Sequence, residues 1–165
     1  MNGARLSVRT ATLLTLFAAW LLMLLGDWFL PWFVVPDMVL LAWIALRFAL
    51  DSVPLWAPLL FVSVLLDVSA GTGLGFHALV YALCALLILP GMRHVRLSSG
   101  VEQLVILAGI SIVAALAKGI LLYVLDGIPM PLGWVLAVGV QMMLWPFARA
   151  LAERVMRPYV PRDDA

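Results

Sequence analysis

Six long apolar runs follow one another along the chain, separated by short breaks rich in glycine, proline and aspartate. None of the runs has a polar face with which a helix could meet water, and none alternates polar and apolar residues as a barrel strand would. Hydrophobic residues make up 65% of the 165 residues and charged residues only 12%, a composition typical of membrane proteins. We therefore expect an all-α integral membrane protein. The core of a bilayer has no water to bond backbone N–H and C=O groups, and within a helix these groups bond to one another.

The runs predict a six-transmembrane-helix bundle, and residues 1–165 are expected to form a single polytopic domain with no extramembrane domain in its short loops. The predicted spans are Ala11–Phe29, Asp37–Leu50, Pro54–Asp67, Gly75–Leu89, Val101–Leu125 and Leu132–Ala152.

The positions of the cations predict the orientation of this bundle. Nine of the ten Lys and Arg residues fall on one side of a six-span topology, whereas the opposite loops carry the acids Asp27, Asp37 and Asp126. By the positive-inside bias, both termini are expected in the cytoplasm, with residues 1–10 before the first span and residues 153–165 forming a tail. The nine cations are Arg5, Arg9, Arg47, Arg93, Arg96, Arg149, Arg154, Arg157 and Arg162.

The tenth cation, Lys118, lies inside a span, and its depth suggests a partner. It is about 16 residues into span five, or roughly 25 Å at helical rise, close to the expected depth of Asp67 at the end of span three. A carboxylate at a helix C-terminus is disfavoured by the helix dipole, and His77 begins span four in the same layer. We expect Asp67, His77 and Lys118 to form a polar cluster joined by charge-assisted hydrogen bonds. In the alternative, Lys118 extends to the headgroups and Asp67 meets water.

Three glycines, Gly71, Gly73 and Gly75, follow Asp67 and separate spans three and four. Glycine permits a positive φ, so the stretch predicts a tight hairpin, and a substrate-cradling loop is the alternative.

Catalytic and metal chemistry find little support in the sequence. No serine or cysteine nucleophile and no second carboxylate is expected at the depth of Asp67 and His77, so we expect no enzymatic activity and no cofactor. The two histidines, His77 and His94, fall on opposite sides of the topology and are not expected to share a metal ion. No nucleic-acid partner is expected.

Three local patterns stand out along the chain: Pro36-Asp37-Met38-Val39-Leu40-Leu41, the stretch Leu65-Leu66-Asp67 through Gly73-Leu74-Gly75-Phe76-His77-Ala78-Leu79, and Leu144-Trp145-Pro146 followed by apolar residues and a basic end. Together with the length and the number of spans, these patterns resemble the family of bacterial rod shape-determining MreD proteins. Arginine often precedes the proline in that family, but Val35 stands there in this chain, and a usual glycine before the aspartate is replaced around Ser63. A role of that arginine therefore cannot be transferred.

The resemblance implies an inner-membrane scaffold of the cell-elongation and peptidoglycan-synthesis machinery. It implies direct binding to MreC, membership of the same assembly as MreB, RodA and a class B penicillin-binding protein, and a fold similar to the substrate-binding components of energy-coupling-factor vitamin transporters. A vitamin-binding component of such a transporter is therefore the alternative function. A channel or proton-coupled transporter would need ionisable groups stepping across the bilayer, and only the outer layer has them.

Binding of a partner helix, or of a second copy of the chain, needs small residues and interhelical hydrogen bonds, because lipid provides no hydrophobic drive between helices. We expect the glycine hairpin and Asp67 to fix the arrangement on which a partner helix docks. Most of the seven tryptophans, including Trp28, Trp32, Trp134 and Trp145, are expected to anchor near the membrane rims. Pro146 is expected to bend the last span. The small and polar residues expected at partner surfaces are Gly109, Ser111, Ala115 and Gly119 on span five and Gly133, Gly139 and Gln141 on span six.

Overall fold

The computed structural model describes residues 7–31, 35–50, 55–88 and 99–159. Four of the predicted cytoplasmic cations and one histidine lie outside these ranges, namely Arg5, Arg93, His94, Arg96 and Arg162. The described residues form six α-helices without a β-strand, which confirms the all-α class. The helices are α1 (Val8–Phe29), α2 (Met38–Ala49), α3 (Trp56–Ala70), α4 (Phe76–Ile88), α5 (Gly100–Asp126) and α6 (Gly133–Met156), and a 3₁₀ turn (Arg157–Tyr159) follows α6.

Side-chain caps explain where several helices begin. The Ser7 hydroxyl accepts a hydrogen bond from the Thr10 backbone N–H at the start of α1. Ser99 and Glu102 form a capping box at the start of α5, in which each side chain accepts from the other residue's backbone N–H. Such caps satisfy N–H groups that the first turn leaves without an intrahelical acceptor.

The six helices pack as a closed ring in which each has two main neighbours. Following the contacts around the ring, α1 packs on α2, α2 on α6, α6 on α5, α5 on α4, α4 on α3, and α3 on α1. Apolar side chains such as Leu16, Leu46, Leu59 and Leu107 fill its interior. In this order α2 and α4 lie on opposite sides of the ring.

Three of the helices are long and apolar enough to cross a bilayer: Val8–Phe29, Gly100–Asp126 and Gly133–Tyr159. The other three have 12, 15 and 13 residues. At about 1.5 Å per residue, they are shorter than the hydrocarbon core of about 30 Å. The fold therefore confirms helices suited to a membrane, and six complete crossings stay a prediction.

Arginines gather at one end of the ring. Near the end of α6, Arg149 donates a hydrogen bond to Gln103 at the start of α5, and its guanidinium lies 6.0 Å from the ring centroid of Phe48 at the end of α2. Arg9 lies in the first turn of α1, and Arg47 in the last turn of α2. The described arginines thus share the end formed by the start of α1, α5 and the ends of α2 and α6.

Trp145 belongs to the helix packing rather than to the membrane rim. Its side chain is buried on α6 and meets the Phe48 ring edge-on, with centroids 5.1 Å apart, which fastens α6 to α2. Trp134 is buried as well, so the expectation of interfacial anchoring is wrong for both residues. Trp28, near the end of α1, is exposed, and Trp32 lies outside the described residues. Pro146 lies inside α6 with its ring exposed.

Candidate functional site

Asp67 closes the hairpin between α3 and α4. Its fully buried carboxylate accepts hydrogen bonds from the Gly75 N–H at 2.7 Å, the His77 N–H at 3.0 Å and the Thr72 hydroxyl at 3.3 Å. One carboxylate oxygen also lies 2.7 Å from His77 Nδ1. The side chain therefore satisfies the first N–H groups of α4 from the end of α3, and links the two helices.

The glycines of this hairpin have different roles. Gly71 ends α3 with φ of +65°, and Gly75 precedes α4 with φ of +94°, a region that favours glycine. Gly73 has no positive φ, and a Cβ there would meet nothing within 4 Å. The predicted tight hairpin is confirmed, and Gly71 also lines the cavity described below.

Asp37 forms a second buried centre. It follows the buried Pro36 and caps α2, accepting a hydrogen bond from the Leu40 N–H at 2.8 Å. Its carboxylate oxygens also accept from the Tyr81 hydroxyl at 2.8 and 3.0 Å, and one of them lies 2.5 Å from Lys118 Nζ. The Lys118 ammonium lies 5.7 Å from the Tyr81 ring centroid as well. These contacts cross the ring and connect α2 with α4 and α5.

The expected polar cluster exists, but its pairing differs from the prediction. Lys118 bonds to Asp37 instead of Asp67, because Asp67 is already occupied by His77 and the hairpin N–H groups. The alternative of a snorkelling lysine and a hydrated aspartate is also wrong, since the Lys118 side chain is 16% exposed and Asp67 is fully buried. The His77 and Tyr81 rings lie 6.0 Å apart and connect the two centres. We call Asp37, Asp67, His77, Tyr81 and Lys118 the polar cluster.

A cavity of about 740 Å³ lies beside this cluster, and all six helices contribute to it. The contributing segments are the ends of α1, α3 and α5 and the starts of α2, α4 and α6, so the cavity is at the end of the ring opposite the arginines. Its charged and polar lining consists of Asp27, Asp37, Thr72, His77, Ser111, Lys118, Asp126 and Gln141.

Several residues expected at a partner surface lie inside the ring instead. Ser111, Gly119 and Gln141 are buried, and Ala115 lines the cavity. The helix faces on which they lie are the faces that α5 and α6 turn inward, so the expectation is wrong for these four residues. Gly109 is exposed, and a Cβ at Gly109 or Gly139 would meet nothing within 4 Å.

Tyr81 is the member of the cluster that sequence reasoning missed. It is four residues after His77 and therefore lies on the same face of α4, which is a signal that the sequence does carry. Among the described residues, no three His, Cys, Asp or Glu side chains are placed to hold a metal ion together.

The chain was compared with protein-family models, with curated proteins and with solved structures, and none of the three comparisons gave a match.

Proposed function

We propose that the chain is a non-enzymatic scaffold of the cell-elongation machinery in the bacterial inner membrane, that it crosses the membrane six times with both termini in the cytoplasm, and that it binds the transmembrane helix of MreC. The proposal rests on the resemblance to the MreD family, which covers essentially the whole chain. MreB, RodA and a class B penicillin-binding protein belong to the same proposed assembly.

The observation that best supports a scaffold is the division between the inside and the outside of the ring. The polar cluster faces the interior of the ring, whereas α5 presents Val105, Ile112 and Leu116 on the outside of the ring with Gly109 among them. These residues follow helical spacing on one face, and the glycine leaves room for a close approach. Partners in a bilayer associate through such close packing between helices. We therefore place the MreC contact on the α5 face around Gly109.

Co-purification tests this contact. Tagged wild-type protein extracted in mild detergent is expected to recover MreC, and Gly109→Leu is expected to reduce the recovery at least fivefold by filling the gap. Leu86→Phe is the matched control, because it adds bulk to a lipid-facing position on α4, where Leu86 is 67% exposed. Failure of the wild-type protein to recover MreC contradicts the scaffold, and full recovery with Gly109→Leu moves the contact away from this face.

The cavity favours a second candidate, a substrate-binding component of an energy-coupling-factor vitamin transporter. Its volume is within the range of about 300–1,000 Å³ typical of small-molecule sites, and a few polar groups converge on mostly apolar walls. Mass spectrometry of the purified protein separates the candidates, since a retained vitamin without a partner polypeptide supports the transporter component, and MreC without a vitamin supports the scaffold.

A further inference from the structure

Ser111 and Gln141 lie at the same depth on neighbouring helices. A Cβ at Gly119 would lie 2.9 Å from the Trp134 ring, which sets the register between α5 and α6. The connection between these helices is short, so they run antiparallel, and moving about two turns inward from this contact leads to Ser111 on α5 and to Gln141 on α6. Both residues line the cavity, and we call them the cavity floor.

The cavity floor has hydrogen-bonding groups that are not used within the described part of the chain. Ser111 and Gln141 are each 3% exposed, and neither Ser111 Oγ nor Gln141 Nε2 has a hydrogen-bond partner among residues 7–31, 35–50, 55–88 and 99–159. Buried polar groups are normally hydrogen-bonded, because a buried donor without an acceptor destabilises the fold. An amide N–H and a hydroxyl at one depth in a cavity wall match a ligand that carries a hydrogen-bond acceptor.

The charges in the described lining oppose an anionic ligand. Asp27, Asp37 and Asp126 contribute carboxylates, and Lys118 contributes the lining ammonium. That ammonium is already neutralised by Asp37 at 2.5 Å. The two remaining acids, Asp27 and Asp126, lie exposed near the outer ends of α1 and α5, where they surround the approach to the cavity. Low-dielectric walls concentrate such a field and attract cations.

The walls between the floor and these acids are apolar and partly aromatic. Leu40, Ala114 and Val138 offer apolar contact, while Phe76 and Trp134 provide rings. Aromatic faces attract organic cations and pack against flat apolar groups.

We infer that the cavity binds a small organic cation with an apolar body, whose hydrogen-bond acceptor meets Gln141 and Ser111 and whose positive end points toward Asp27 and Asp126. The inference rests on the second candidate function only in taking the cavity as a ligand site, and it makes no use of transport or of MreC binding.

A matched pair of probes tests the class of ligand. One naphthyl amide carries a trimethylammonium group and the other carries a sulfonate at the same position, and quenching of tryptophan fluorescence reports binding to the full chain in detergent. We expect saturable binding of the cationic probe at least tenfold tighter than that of the sulfonate. We also expect the double variant Asp27→Asn with Asp126→Asn to weaken the cation at least threefold at low salt. Absence of saturable cation binding, or equal or tighter binding of the sulfonate, would overturn the inference.

Variants of the cavity floor test the site itself. Gln141→Leu is expected to weaken binding of the cationic probe at least tenfold. It is also expected to raise the melting temperature of the ligand-free protein, because it removes a polar group without a hydrogen-bond partner from an apolar wall. Ser111→Ala is expected to weaken the probe about threefold. The matched control is Ser63→Ala, since Ser63 is a buried serine outside the cavity lining whose hydroxyl donates to the Leu59 carbonyl at 2.7 Å. Undiminished binding in Gln141→Leu would contradict the assigned site.

These outcomes are separable from those of the function proposals. Loss of MreC recovery has no bearing on probe binding, and vitamin uptake that fails in cells while the purified protein binds the cationic probe would count against the transporter component alone.

Discussion

The Nζ atom of Lys118 in α5 lies 2.5 Å from a carboxylate oxygen of Asp37, which caps the start of α2. The side chains of the pair are 16% and 10% exposed, so solvent screens their attraction only weakly. Because α2 and α5 are not neighbours in the ring, this ion pair fixes one side of the ring against the other. The Tyr81 hydroxyl adds α4 to the same junction.

Breaking this pair from one side is expected to cost more than removing both charges. Lys118→Met leaves the Asp37 carboxylate without its cation, at an expected cost of about 3 kcal/mol, in the range measured for broken buried pairs. Adding Asp37→Asn to Lys118→Met is expected to recover most of the lost stability, because asparagine still caps α2 and no charge is left buried. Thermal unfolding of the two single variants and the double variant in detergent measures the cycle.

An exposed ion pair on α6 supplies the control for that cycle. Arg149 and Glu153 are one turn apart at 2.8 Å, with side chains 36% and 54% exposed. Glu153→Gln is expected to change stability by about 0.5 kcal/mol or less, as for other surface pairs. A loss from Lys118→Met no larger than this, or a double variant less stable than Lys118→Met alone, would show that the Asp37 contact contributes little.

Asp67 is expected to matter as an acceptor for backbone groups. Asp67→Ala removes the acceptor of the Gly75 and His77 N–H groups, and each unsatisfied buried donor costs about 1–3 kcal/mol. Asp67→Asn retains one carbonyl oxygen as an acceptor, so it is expected to lose clearly less stability than Asp67→Ala. Limited proteolysis of the α3–α4 hairpin together with thermal unfolding tests this order. Equal stability of the alanine variant and the wild-type protein would rule out the hairpin-closing role.

The sequence was sufficient for the arrangement along the chain but not for the pairing across it. Apolar runs and turn residues predicted all six helices within a few residues, since each boundary is set by local caps and breaks. Depth along a helix placed Lys118 and Asp67 in the same polar cluster, where His77 and Tyr81 lie between them, but depth does not give the order of helices around a ring. That order decides that Lys118 meets Asp37, and that Ser111 and Gln141 face the interior instead of a partner.

The glycines of the hairpin are expected to differ in their tolerance of a side chain. Gly71→Ala and Gly75→Ala place an L-residue at φ of +65° and +94°, and a left-handed conformation costs about 1–2 kcal/mol. Gly73→Ala has neither a positive φ nor a nearby atom to meet, so a change of about 0.5 kcal/mol or less is expected. Melting temperatures of the three variants measure the difference, and a Gly73 variant as unstable as the other two would contradict it.

Two glycines on α5 are expected to respond in opposite directions to alanine. At Gly119 the new Cβ would lie 2.9 Å from the Trp134 ring and 3.0 Å from the Met130 side chain, so these side chains or the helix contact must shift, at a cost of about 1–3 kcal/mol. At Gly109 the Cβ meets nothing within 4 Å, and alanine is the better helix former by up to about 1 kcal/mol. Unfolding measurements on both variants decide the matter, and a stabilising Gly119→Ala would show that α5 and α6 are not in close contact there.

The orientation of the ring is testable with a thiol reagent that does not cross membranes. Cys84 is buried, and Cys84→Ser supplies a background without cysteine. Leu132→Cys is placed before α6 at the cavity end, where the native side chain is 89% exposed, and Arg157→Cys lies at the arginine end. Because arginines favour the cytoplasmic side, we expect intact spheroplasts to show labelling at position 132 and protection at position 157 until the membrane is permeabilised. Labelling at position 157 in intact spheroplasts would place the cavity on the cytoplasmic side, and labelling at both positions would mean that α6 does not cross the membrane.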